Sequence, residues 1–153
     1  MNPKARLNLV GVTTLTVGYL LAGAAGAQHS PAPVRLDAEK MAGLDLTAIG
    51  PEPYQDILVA GELNMRVSSL FEGKELRASI FESTPAKTDH RTRPTDIDEF
   101  VFVLSGKLIL TEPNGTAHEF LPGDALVLPM GYTGTWEMQG NYRELVVVMQ
   151  KDE

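Results

Sequence analysis

The chain has 153 residues with 13 basic and 20 acidic side chains, a formal charge of −7, and no cysteine. That balance argues against a nucleic-acid or anionic-membrane partner, because such surfaces call for a basic patch. The lack of cysteine excludes a disulfide framework and thiolate chemistry, so the fold must rest on its apolar core.

Lys4 and Arg6 precede an uncharged stretch from Leu7 to Ala24, and Ala25-Gly26-Ala27 is a small-x-small cleavage site. Residues 1–27 are therefore expected to be a secretory signal peptide cut after Ala27. A permanent anchor is the competing reading, since the uncharged stretch approaches the length of a span. Its threonine and glycine content and its small-residue end favour cleavage. The mature protein is then expected to be periplasmic or secreted, and free of the membrane. Removing the segment leaves 126 residues, the size of one domain. It takes away two basic residues and no acidic one, so the formal charge moves from −7 to −9.

Residues 28–55 are expected to form a tether followed by a short helix and a loop. Pro31 and Pro33 make the start extended. Asp37 can N-cap a helix running through Met41, which Gly43 would stop. Gly50, Pro51 and Pro53 punctuate the loop from Leu44 to Tyr54. The remainder, 56–153, is expected to be a barrel.

Strand candidates lie at 57–60, 65–71 and 76–81, separated by Gly61 and Gly73-Lys74. Thr84 to Pro94 is expected to be a polar loop. Phe100 to Leu104 is a continuous apolar run ended by Gly106, which suits a strand buried on both faces. Residues 107–111 and 116–120 make a hairpin around Pro113-Asn114-Gly115, where Asn and Gly supply positive φ. Another strand, 124–128, sits between Pro122-Gly123 and Pro129, and 145–149 is expected to be the last buried strand. About eight short strands with turn residues between them describe an all-β single domain, an antiparallel sandwich or small barrel.

Glu99, six intervening residues and Gly106 resemble the end of the first cupin motif. Gly123, five residues, Pro129, one residue and Gly131 resemble the start of the second. The wording through Gly134-Thr135-Trp136 looks most like the small cupins named after the (S)-ureidoglycine aminohydrolase cupin domain, over residues 76–149, about half of the chain. The resemblance implies a cupin-type double-stranded β-helix, a jelly-roll barrel. In metal-binding cupins a His-x-His pair precedes the motif glutamate and a third histidine follows the second motif. The resemblance places these at 92–95 and 134, where this chain has Thr92, Arg93, Pro94, Thr95 and Gly134. Glu99 alone remains, and one carboxylate does not make a tight transition-metal site. No metal and no cofactor are therefore expected. The alternative is a shifted site built on His90 and Glu99. His90 is otherwise expected to be a polar loop residue among Lys87, Asp89 and Arg91. His118 is expected to face solvent on its hairpin, and His29 lies in the tether.

Strand alternation puts Glu99, Val101 and Val103 on one face, which the resemblance points into the barrel. A carboxylate facing an apolar cavity has a raised pKa unless a cation meets it. Arg77, Arg91 and Arg93 are the candidate partners, and an ion pair is the expected arrangement. Glu99, Arg91, Arg93, Val101 and Trp136 form the expected ligand-binding set, with Glu99 as catalytic candidate. Trp136 either lines the pocket or caps the core near Tyr132. Three readings follow: an exported binder of a small polar metabolite without the three-histidine site; an enzyme resembling ureidoglycine aminohydrolase, with Glu99 as acid/base or metal ligand; and an interaction domain. Phe100, Phe102 and Leu104 face away from Glu99 and are expected to pack a second layer or form a homodimer.

Overall fold

The computed structural model describes residues 32–50 and 52–149. The expected signal peptide and His29 lie outside the described residues. Helix α1, Ala38–Met41, forms where expected: the Asp37 carboxylate accepts from the Glu39 and Lys40 backbone N–H groups at 2.8 and 3.2 Å. Two of the donors that a helix start leaves unpaired are thereby satisfied. The loop expected after it is shorter than the sequence suggests. Thr47–Ile49 forms strand β1, and Glu52–Ile57 is a 3₁₀ turn. All three β1 residues are exposed, so no burial pattern announces the strand; it exists because β3 offers it an open edge.

The other strands are β2 (Leu58–Gly61), β3 (Met65–Glu72), β4 (Leu76–Ser83), β5 (Ala86–Asp89), β6 (Glu99–Thr111), β7 (Ala117–Phe120), β8 (Ala125–Leu128) and β9 (Thr135–Met149). All pair antiparallel. The order β1-β3-β4-β9-β5-β2 forms one path, and β6 joins β9 to β7 and β8. The β9 strand organises the sheet: its C-terminal half pairs with β4, its N-terminal half with β5, and β6 runs along both halves. The result is a curled all-β domain of the expected jelly-roll kind.

Gly106 does not end a strand; β6 runs straight through it. The glycine has φ +71, and the β6–β9 register shifts on either side of Ser105. A Cβ there would stand 2.7 Å from the Gln139 carbonyl oxygen and 2.7 Å from the Tyr142 Cα. The residue thus marks a bulge where two backbones approach closely and the strand bends. The two expected strands 100–104 and 107–111 are one strand for this reason.

Burial on β6 alternates. Val101 and Val103 are fully buried, whereas Phe100 is 41% exposed. The expectation of a strand buried on both faces is therefore corrected, and residues 145–149 are likewise only partly covered. The inward core gathers Met65, Val103, Leu108, Leu128, Met138 and Tyr142. On the outer side, Glu82 is buried and accepts from Arg66 Nη1 and Arg143 Nε, each at 3.0 Å. Arg143 also donates to the Ala42 carbonyl oxygen at 2.6 Å, tying the end of α1 to the sheet.

Candidate functional site

Register and alternation decide what the barrel contains. Glu99 pairs with Val148, Val101 with Val146, and Val103 with Glu144. The β4 residues Ser79 and Phe81 pair with Val146 and Glu144. Side chains on one face of these strands enclose a cavity of about 580 Å³, within the range of small-molecule sites.

Glu99 lines the cavity from the start of β6, between Leu128 of β8 and Val148 of β9. Among the described residues it makes no hydrogen bond or ion pair. Burial, reinforced by the charge of Asp96, pushes its carboxyl above the ordinary range. The expected arginine pair is corrected. Arg91 is exposed and donates to Asp89 at 2.9 Å, so it stays outside the cavity. Arg93 reaches the cavity wall, but its Nη1 donates to Asp56 at 2.9 Å and its guanidinium stacks 5.2 Å above the Tyr54 ring. Arg77 lies 3.6 Å from Glu72. Each arginine is neutralised by another acid. Val101 shares the Glu99 face but is fully buried and is not a wall residue, which corrects its place in the expected ligand-binding set.

Glu144 is the site residue that the sequence reading missed. It is 4% exposed and lines the cavity. The Tyr142 hydroxyl donates to its Oε2. Burial pushes its pKa up to about 8; the hydrogen bond from Tyr142 works the other way, and the charge of Glu99 adds to the rise. Tyr142, fully buried, has its own ionisation pushed up by burial and then by Glu144. The available signal was an acid on the same alternation as Met138, Tyr142, Val146 and Val148, on an otherwise apolar face of the strand. Reading only 145–149 as a strand left that acid in a loop.

His90 is also misplaced by the loop reading. Ala86 and Thr88 are buried while Lys87 and Asp89 are only partly covered, a period-two pattern written in small and polar residues. The β5 strand pairs with β9 and leads His90 inward, where it is 8% exposed. Its backbone N–H donates to the Gly134 carbonyl oxygen at 2.7 Å, and its Nε2 lies 3.1 Å from Thr88 Oγ1. Burial lowers its pKa, holding the ring neutral. The Trp136 ring stands 6.1 Å away and lines the cavity; its Nε1 and the neighbouring Thr135 Oγ1 are buried without a hydrogen-bond partner among the described residues. His118 is exposed and pairs with Glu112 at 2.7 Å, far from this chemistry.

His90 and Glu99 both reach the cavity, yet the donor set does not suit a metal of the cupin kind. Among the described residues no group of three or more His, Cys, Asp or Glu side chains could hold one. At Gly134, where the third histidine would stand, a Cβ would lie 2.3 Å from the Thr111 carbonyl oxygen. Any side chain there collides with backbone, so the position is closed to a ligand in this fold.

The family model that matches is the EutQ-like cupin domain, over residues 71–144. No curated protein matches the sequence. Among solved structures, the chain is similar to the EutQ protein of Clostridium difficile, with 18% identity over 60% of this chain and 72% of that one and a TM-score of 0.52. A protein of unknown function from Pseudomonas syringae pv. tomato is 27% identical over 67% of this chain, but over only 43% of its own, with a TM-score of 0.60. The polyketide cyclase RemF of Streptomyces resistomycificus is 24% identical over 70% of this chain and 75% of that one, with a TM-score of 0.51. With the curled antiparallel sheet and the inward-facing cavity, these likenesses give the chain the cupin fold, its residues 71–144 matching the EutQ-like cupin domain.

Proposed function

We propose that this protein is an exported cupin that binds a small polar metabolite in its barrel, without the three-histidine metal site. The observation that carries the reading is Glu99: an ionisable group in the wall of a cavity of about 580 Å³, with no hydrogen bond or ion pair among the described residues. A structural carboxylate would be held by a cation, and this one is left for something that enters. If so, Glu99→Gln should change stability by less than about 1 kcal/mol, in the stabilising direction, while abolishing ligand binding. A buried ion pair would instead cost roughly 3–5 kcal/mol when broken. Denaturant melts of the two proteins, followed by a thermal-shift screen of both against small polar metabolites, separate these outcomes. A large loss of stability, with no compound that distinguishes the two proteins, defeats the binding reading.

The raised pKa of Glu99 also supports a catalytic version, in which it serves as acid/base on a small metabolite, as the ureidoglycine aminohydrolase resemblance implies. Turnover of a bound compound by wild type, lost in Glu99→Gln, would establish it. Association of two copies is favoured by a separate observation. Phe100 and Val127 are register neighbours on the outer face, 41% and 66% exposed, beside Val147. Export and pairing can be tested together by native mass spectrometry of protein recovered from the cell envelope. The expected result is a dimer of chains that start at Gln28; a full-length chain or a monomer at micromolar concentration rejects the respective part.

A further inference from the structure

Resting on the cavity as a binding site, we propose that its ligand is a small organic cation, a protonated amine or quaternary ammonium group. Its charge is directed at Glu99 and Glu144 and its alkyl part lies against Trp136, Tyr54 and Phe81. The inference comes from the balance of charge that the wall leaves uncompensated. Its two arginines are spent on outside acids, Arg93 on Asp56 and Arg77 on Glu72. His90 is kept neutral by burial. The acids are not matched in this way. Glu99 has no partner among the described residues, and the hydrogen bond to Glu144 comes from the neutral hydroxyl of Tyr142. Among the described residues no arginine or lysine offsets either carboxylate; the charge of Asp96 acts on Glu99, and that of Glu99 acts on Glu144. An apolar-walled cavity focuses the field of Glu99, and an entering cation also favours release of the proton that burial keeps on Glu144, so that both carboxylates can face it.

The walls then decide which cation. An inorganic ion would need three or more donors, which the described residues do not group together. The cavity is far larger than an ion and lies in the range of a small metabolite. Tyr54, Phe81 and Trp136 offer aromatic surface, and aromatic faces attract alkylated ammonium groups. An anion would meet Glu99 in the wall and would have to draw Arg93 away from Asp56.

Trp136 is the chain's only tryptophan and stands in the wall, so its indole N–H resonance and fluorescence report on occupancy. The probes are propylammonium and tetramethylammonium, set against propan-1-ol and propionate at fixed ionic strength, millimolar concentration and about pH 9, where Glu144 is ionised. The expected result is a saturable change with the cations alone, weakened about tenfold or more in Glu99→Gln and in Glu144→Gln. Glutamine resembles the protonated acid in shape, so both variants should keep the fold, which the remaining resonances verify. Tighter saturation by propionate or propan-1-ol overturns the cation and leaves the binding cavity standing. Saturation by no probe also overturns the cation, and the metabolite screen on Glu99→Gln then judges the cavity independently. Cation binding that neither substitution weakens places the site elsewhere and overturns the proposal as well.

Discussion

Glu144→Gln is expected to stabilise the protein on the alkaline side of neutrality and to leave it nearly unchanged at about pH 5. The cause is the burial of Glu144 with no cation beside it, which raises its pKa from 4.5 to about 8. Below the unfolded pKa the group is protonated in both states and contributes no pH dependence. Between about 4.5 and 8 the folded protein holds a proton that the unfolded chain has released, so wild-type stability falls as pH rises through this window. At 1.36 kcal/mol per unit the shift sets a ceiling on the order of 4–5 kcal/mol, and water entering the cavity reduces it. A gain of about 2–4 kcal/mol at about pH 9 is expected, because the amide stays neutral and still accepts the Tyr142 hydroxyl hydrogen. Glu99, also raised, keeps part of the slope in the single variant, and the double variant with Glu99→Gln should flatten it further. His90 works in the opposite sense at lower pH: its depressed pKa means that protonation favours the unfolded chain. Urea melts of wild type and variant across the range provide the measurement. Two stability curves separated by a constant amount would mean that Glu144 does not titrate in the folded protein.

Gly134→His should fail to build a metal site and should instead cost about 3–5 kcal/mol, enough to unfold many domains. The glycine has φ +153, and its Cβ position lies 2.3 Å from the Thr111 carbonyl oxygen and 2.7 Å from the Tyr132 hydroxyl. The clash is with paired β6 backbone, which cannot step aside without breaking the sheet. Gly115→His is the matched control. Gly115 also has a positive φ, +91, but no atom lies within 4 Å of its Cβ position. Its cost should stay near 1 kcal/mol, the backbone strain alone. Equal urea midpoints for the two variants would show that the collision is absorbed. Zinc or nickel bound stoichiometrically by Gly134→His would show that the position is open to a ligand.

Much of this protein was legible in its residues because the relevant signals are local. Asp37 announced the cap of α1, and Asn114-Gly115 announced the turn of the β6–β7 hairpin. The alternation from Glu99 put that carboxylate on the face of Val101 and Val103, which the cupin resemblance pointed into the barrel. These features depend on a few neighbouring positions, and the backbone geometry there is set by side-chain chemistry within reach. The spacing of Glu99, Gly106, Gly123, Pro129 and Gly131 resembled the two cupin motifs, and that resemblance implied the jelly-roll class.

What tertiary structure decided is everything that depends on which strands meet. Gly106 reads as a strand end, and only its approach to Gln139 and Tyr142 turns it into a bulge within β6. His90 reads as a surface residue among charges, and pairing of β5 with β9 carries it inside. The arginines near Glu99 in sequence are drawn off by Asp89, Asp56 and Glu72, since each ion pair goes to the acid nearest in space. Glu144 enters the site because β9 is long enough to serve both halves of the barrel, placing an acid 45 positions from Glu99 on the same inner wall. Sequence by itself determined that a carboxylate faces the barrel. The pairing of β6 with β9 determined that there are two, because register across strands is a long-range property that no local pattern encodes.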